Sequence, residues 1–124
     1  MPVIRSTEGV EHEVHGATFT AYANSKTGSA ELCAWRTRIP AGQSGVPHRV
    51  SKEELLLITS GAPHVTIDDE RTAVGPGDVI VVPTDSMLKI EGAADQDSTM
   101  WVTTTRGLIA KLPDGSDLAP PWAQ

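Results

Sequence analysis

The sequence predicts a single all-β domain, and three observations carry that prediction. Eleven glycines and nine prolines recur along the whole 124-residue chain, punctuation that suits short strands joined by turns. Between them lie short segments in which apolar and polar residues alternate, the period of a half-buried strand. The length is that of one domain, long enough to bury a core without staples. Five residues are aromatic, three of them Trp, so that core rests on Val, Leu, Ile and Ala.

The elements follow in order. Val10, His12 and Val14 alternate with Glu11, Glu13 and His15, which suits a strand. Continued to His15, that alternation places His12 and His15 on opposite faces, unable to chelate one metal as a pair and suited to an edge or a subunit contact. Ala17 to Ala23 alternates again with β-favouring residues, and 24–29 is a polar loop. From Glu31 to Ile39, Cys33, Trp35, Thr37 and Ile39 share a core face, while Leu32, Ala34, Arg36 and Arg38 share an outer one. Residues 40–47 form a loop that leads to His48.

The next stretch is ambiguous taken alone. Ser51-Lys-Glu-Glu54 ahead of Leu-Leu-Leu-Ile matches a helix capping box, but Gly61-Ala-Pro63 would stop such a helix after barely two turns. Beyond it, Pro63, Val65 and Ile67 alternate with His64 and Thr66, which places His64 outward. Asp68 to Arg71 is expected to turn, Val74 to Asp78 to turn tightly, and Val79 to Val82 to form a short apolar strand ended by Pro83. Met87 to Ile90 and Ser98 to Thr105 complete the strands. The tail 106–124 holds Leu108, Ile109, Leu112, Leu118 and Trp122, so it must pack on its own barrel or on a partner subunit. There is no internal repeat and no linker.

Two stretches carry a resemblance. In Gly42 to Gly61, His48 and Glu54 stand six residues apart, and Gly75-Pro-Gly-Asp-Val-Ile-Val-Val-Pro83 follows downstream. Together they resemble the two sequence motifs of the cupin family. The resemblance implies a single cupin-type jelly-roll β-barrel of two packed antiparallel sheets over 1–124, with the core barrel at about 17–105. It also implies a strand over Glu54 to Thr59 in place of the helix, and a homodimer. In cupins the motifs supply three histidines and a glutamate that point into the barrel and hold a divalent metal. The matching positions are His48, Val50, Glu54 and Leu88, and the typical glycine of the second motif is Asp85. Two of the four ligand types are therefore present, a weak set for a transition metal, whose binding rests on ligand count and geometry. No cofactor is expected, although a divalent metal held through His48 and Glu54 stays open.

Without a metal, His48 and Glu54 would share one pocket as an acid–base pair. A carboxylate beside an imidazole can fix its tautomer and raise its basicity, and an apolar cavity raises the carboxyl pKa. The leading expectation is a small-molecule-binding cupin acting as a metal-independent isomerase, cyclase or lyase. Its pocket is drawn from Trp35, Val50, Leu56, Val81, Leu88 and Trp101. The alternatives are a metal-dependent enzyme such as a dioxygenase with an unusual ligand set, and a non-catalytic binding or sensing protein.

The net charge of −6 argues against nucleic acid or an acidic membrane surface as a partner. Cys33 is the one cysteine, so no intrachain disulfide forms, and on a core face it reads as an inert small hydrophobe. The first ten residues hold no apolar core of signal-peptide length, and the longest apolar run, Leu55 to Ile58, is far too short to span a membrane. A soluble cytoplasmic protein is the expectation.

Overall fold

The computed structural model describes residues 3–124; Met1 and Pro2, the first two residues of the expected domain, lie outside that range. Twelve strands form two six-stranded antiparallel sheets. They are β1 Val10–Val14, β2 Ala17–Ala23, β3 Leu32–Ile39, β4 His48–Val50, β5 Glu54–Ser60, β6 His64–Ile67, β7 Glu70–Ala73, β8 Val79–Val82, β9 Met87–Glu91, β10 Ser98–Thr105, β11 Ala110–Lys111 and β12 Asp117–Leu118. One sheet runs β1-β2-β3-β10-β5-β8 and the other β12-β11-β4-β9-β6-β7. The two pack face to face, as expected for a jelly roll.

Strand parity decides what lies between the sheets. On β3 the buried positions are Cys33, Trp35, Thr37 and Ile39; on β10 they are Ser98, Met100, Val102 and Thr104. The register Val102↔Trp35 and Val102↔Leu56 continues this row onto β5, where Glu54, Leu56 and Ile58 face inward. The ambiguous stretch is therefore a strand. Its 2-residue period matches burial of every second side chain, whereas a helix would have turned Leu55 and Leu57 partly inward. One core cluster joins the sheets, including Val50, Val65, Val82 and Leu88.

Two turns depart from the expected pattern. His15 and Gly16 form the β1–β2 hairpin loop with φ of 51° and 82°, the left-handed pair that a two-residue hairpin requires. The strand alternation thus ends at Val14 and does not extend to His15. Asp68 and Asp69, with φ of 45° and 72°, make a second such loop. Glu70 and Arg71 therefore do not belong to the turn but begin β7, an edge strand with four exposed residues. Asp85 takes φ of 67° where the cupin motif usually has glycine; Asp tolerates this region because its short side chain can bond locally.

The tail lies on its own barrel. β11 pairs with β4, Ala110 opposite Val50, and Leu108, Trp122 and Ala123 are buried. Trp122 stacks on Phe19 of β2 with ring centroids 4.2 Å apart and planes 8° from parallel. The tail's apolar content is thereby accounted for within one chain. The sheets likewise extend beyond 17–105, to β1 at one end and to β11 and β12 at the other.

Candidate functional site

His48 is positioned by the loop before it. Gly45 has φ of 78°, and a Cβ there would collide with the Ile90 carbonyl, so only glycine allows this close approach. The chain then enters β4, where His48 lies opposite Leu88. His48 Nδ1 lies 3.0 Å from the Val46 carbonyl oxygen. A carbonyl only accepts, so Nδ1 carries the hydrogen and Nε2 keeps its lone pair. Burial lowers the His48 pKa; the Val46 bond acts in the opposite sense, and the nearby His15 lowers it further. The neutral ring is therefore favoured.

Glu54 opens β5 on the inner face, between Val82 of β8 and Thr104 of β10. It is 4% exposed, and its Oε2 is buried without a hydrogen-bond partner. The adjacent Thr104 hydroxyl donates to the Glu53 carbonyl at 2.6 Å. Desolvation pushes the Glu54 carboxyl from its ordinary value near 4.5 up to about 7. Near neutrality a large fraction carries its proton.

Both side chains line one cavity of about 130 Å³ between the sheets, with Trp35, Leu56 and Leu88 among its walls. Three other residues expected there lie elsewhere. Val81 is 55% exposed, because Glu54↔Val82 and Leu56↔Ile80 turn Val82 and Ile80 inward and Val81 out. Trp101 has the outward parity of β10 and lies against Tyr22, centroids 5.5 Å apart. Val50 is fully buried in the core and does not border the cavity. The notion that Glu54 fixes the imidazole tautomer also gives way, since the Val46 carbonyl does this.

Several lining residues lie outside the expected pocket set. His15 and Gln43 stand at the rim, joined by a 2.9 Å bond from Gln43 Nε2 to the His15 carbonyl. Val14, Ala17 and Phe19 line it from β1 and β2, and Leu108, Leu112, Leu118 and Trp122 from the tail. The shared parity of Ala17 and Phe19 was a signal that could have found them. The direction of the irregular tail had none. His12 reaches Trp122, ring centroids 5.5 Å apart, from the edge strand β1, and His64 lies on β6 away from the cavity.

The family model for the cupin domain matches residues 35–103, more than half of the chain. The chain belongs to the cupin family. No curated protein matches it. Among solved structures this cupin is similar to the polyketide cyclase RemF from Streptomyces resistomycificus, at 17% identity and a TM-score of 0.76, over 85% of this chain and 79% of that one. It is also similar to a variant of salicylate 1,2-dioxygenase from Pseudoaminobacter salicylatoxidans in complex with gentisate, at 21% identity and 0.65, over 72% and 25%. A third is a variant of Streptomyces PAC13 with uridine, at 19% identity and 0.68, over 83% and 80%. Identities this low show a shared fold, and one fold hosts many chemistries.

Cupins often bind metals through donors that point into the barrel. Of the four positions that hold the metal in the family, Val50 and Leu88 bring only hydrocarbon, both fully or almost fully buried. Among the described residues no group of three or more His, Cys, Asp or Glu is placed to hold a metal ion. His48 and Glu54 alone are a poor donor set for a transition metal, whose sites need more ligands in defined geometry. The residues at this site do not fit that group. Cys33 offers no substitute donor: it is fully buried, and desolvation raises its pKa.

Proposed function

We propose that this cupin binds a small molecule in the barrel and moves a proton on it, as a metal-independent isomerase, cyclase or lyase. The observation that carries this reading is a carboxyl and an imidazole that line one largely apolar cavity, each with an atom left free. Glu54 has a buried oxygen without a partner, and His48 has its Nδ1 engaged by Val46, which leaves Nε2 for the cavity. Glu54 is the proposed general acid and His48 the proposed general base. On a carbonyl compound, His48 Nε2 takes a hydrogen from the adjacent carbon while Glu54 gives its proton to the carbonyl oxygen. The product is an enol, leaving an imidazolium and a carboxylate; return of the protons at another position isomerises the compound, and loss of a neighbouring hydroxyl as water makes it a lyase step. Positioned acid–base groups contribute roughly 10²–10⁴-fold each. Relatives in the fold include a polyketide cyclase, which accords with such chemistry.

The test uses heavy water. Simple ketones incubated with the protein should exchange their α-hydrogens for deuterium above the buffer rate. His48→Gln and Glu54→Gln should each lower the enzymatic rate about 10²-fold or more with the fold intact. Exchange that survives both substitutions would remove the proposed roles.

The protein is further proposed to be a cytoplasmic homodimer, its metal site lost with Val50 and Leu88. The tail does not supply the dimer contact. The outward positions of β5, β8 and β10 do: Leu55, Leu57, Val79 and Val81 are exposed, and register sets Leu57 between Trp101 and Val79. These outward positions carry no charged side chain. A second copy brings the same −6 charge, so a two-fold contact is favoured where the face is uncharged. β8 is also a sheet edge, which proteins seldom leave apolar and uncovered.

A further inference from the structure

We propose that the cavity takes a small uncharged ring compound with one carbonyl or hydroxyl oxygen, that oxygen set at Glu54 and the ring on the apolar wall. The assignment deepens the acid–base reading and rests on it for which end of the compound reacts.

Charge is the first argument. Among the described residues that line the cavity there is no Arg, Lys or Asp; the ionisable ones are His15, His48 and Glu54. His15 is exposed at the rim. An anion leaving water would meet no fixed cation inside, in a protein of net charge −6, and an unpaired buried charge is costly. A cation would find Glu54 alone, and one contact must then repay the desolvation of two ions. An uncharged compound avoids both costs.

The second argument is the inventory of polar groups. Trp35 Nε1 donates to Thr37 Oγ1 at 3.1 Å, Gln43 Nε2 donates to the His15 carbonyl, and His48 Nδ1 donates to the Val46 carbonyl. The protein spends these donors on itself. Thr37 and Gln43 keep some further capacity, but among the described lining residues the buried side-chain oxygen with no partner at all is Glu54 Oε2, and His48 keeps Nε2 free. A single ligand oxygen partners the acid: a carbonyl or hydroxyl oxygen accepts from the Glu54 carboxyl. Most of the wall offers carbon, including Leu56, Val102 and the stacked Phe19 and Trp122.

Size is the third. About 130 Å³ is close to the roughly 150 Å³ of an apolar cavity that accepts benzene, and below the roughly 300–1,000 Å³ of pockets for drug-sized ligands. One ring fits.

Three compounds with the same ring test this on the wild-type protein at pH 7: cyclohexanone, cyclohexanecarboxylate and cyclohexylamine. The indole N–H signals of the three tryptophans report the site, because Trp35 and Trp122 line the cavity and Trp101 lies outside it. Cyclohexanone should move the Trp35 and Trp122 signals, leave Trp101 in place, and bind at least about ten-fold tighter than either ion. Glu54→Leu should weaken it by about ten-fold by removing the partner of the oxygen. Binding of an ion as tight as the ketone, a response at Trp101 alone, or no saturable binding of the ketone would overturn the assignment. Binding of the ketone without α-hydrogen exchange would support the assignment while removing the acid–base role. Exchange without preference for the uncharged ring would overturn the assignment and leave that role.

Discussion

His48 and Glu54 line the same cavity from opposite sheets. His48 sits on β4, opposite Leu88 of β9, and Glu54 on β5, between Val82 and Thr104. The six-residue separation in sequence is thus a crossing from one sheet to the other. Because the two sheets hold them independently, each side chain keeps its own environment: the Val46 carbonyl for the imidazole, and desolvation for the carboxyl.

Glu54 makes stability depend on pH. Its folded-state pKa, about 7, lies above the 4.5 of the unfolded chain. Below pH 4.5 the carboxyl is protonated in both states and burial costs no ionisation. Between 4.5 and 7 the unfolded chain releases the proton while the folded chain keeps it, so stability falls as pH rises. Above 7 the loss is complete and amounts to roughly 3 kcal/mol. Glu54→Gln should abolish this component. Denaturant unfolding of both proteins from pH 4 to 8 checks it: the variant should gain on the wild type as pH rises, by about that amount.

The tail contributes Trp122 to the cavity wall. Its ring is buried and stacked on Phe19, and truncating such a side chain costs about 3–5 kcal/mol. Trp122→Ala should therefore lower the unfolding free energy by about that much, and hydrogen exchange should quicken along β11 and the last turn. A change under about 1 kcal/mol would mean that the tail is not docked as described.

Leu57 and Val81 test the outer face. Both point away from the core, so Leu57→Glu and Val81→Glu should leave the barrel folded. Sedimentation should report a dimer for the wild type and a monomer for either variant, since a charge at the centre of an apolar contact would be buried unpaired. A wild type that sediments as a monomer at all concentrations would contradict the proposed contact.

Much of this architecture was legible in the residues. β2, β3 and β10 run for seven or eight residues between turn signals, long enough to be read as strands, and β3 alternates cleanly enough for its buried face to be read as well. β7 was not legible, because an exposed edge strand with four polar or small residues has no apolar stripe. The candidate site was legible in part. His48 and Glu54 stood out through the cupin motifs, and they line one cavity together with Trp35, Leu56 and Leu88. Val81 was misplaced because Val79 to Val82 is apolar on both faces, so alternation gives no parity; only pairing with Glu54 and Leu56 reveals it. Trp101 was misplaced because β10 has Ser or Thr on both faces. His15 was assigned to an edge or subunit contact because strand alternation was carried into a hairpin loop, where it does not hold. The tail's contribution depends on where an irregular segment docks, which no local period encodes.

The measurement that most directly tests the account is an NMR titration of the Glu54 carboxyl carbon and the His48 ring nitrogens in the wild-type protein. The expected result is a carboxyl midpoint near 7, and an imidazole whose midpoint lies below its ordinary value, with the hydrogen of the neutral ring on Nδ1. A carboxyl that titrates near 4.5, or a ring protonated on both nitrogens at neutral pH, would contradict it, because neither a neutral acid nor a free base would then face the cavity.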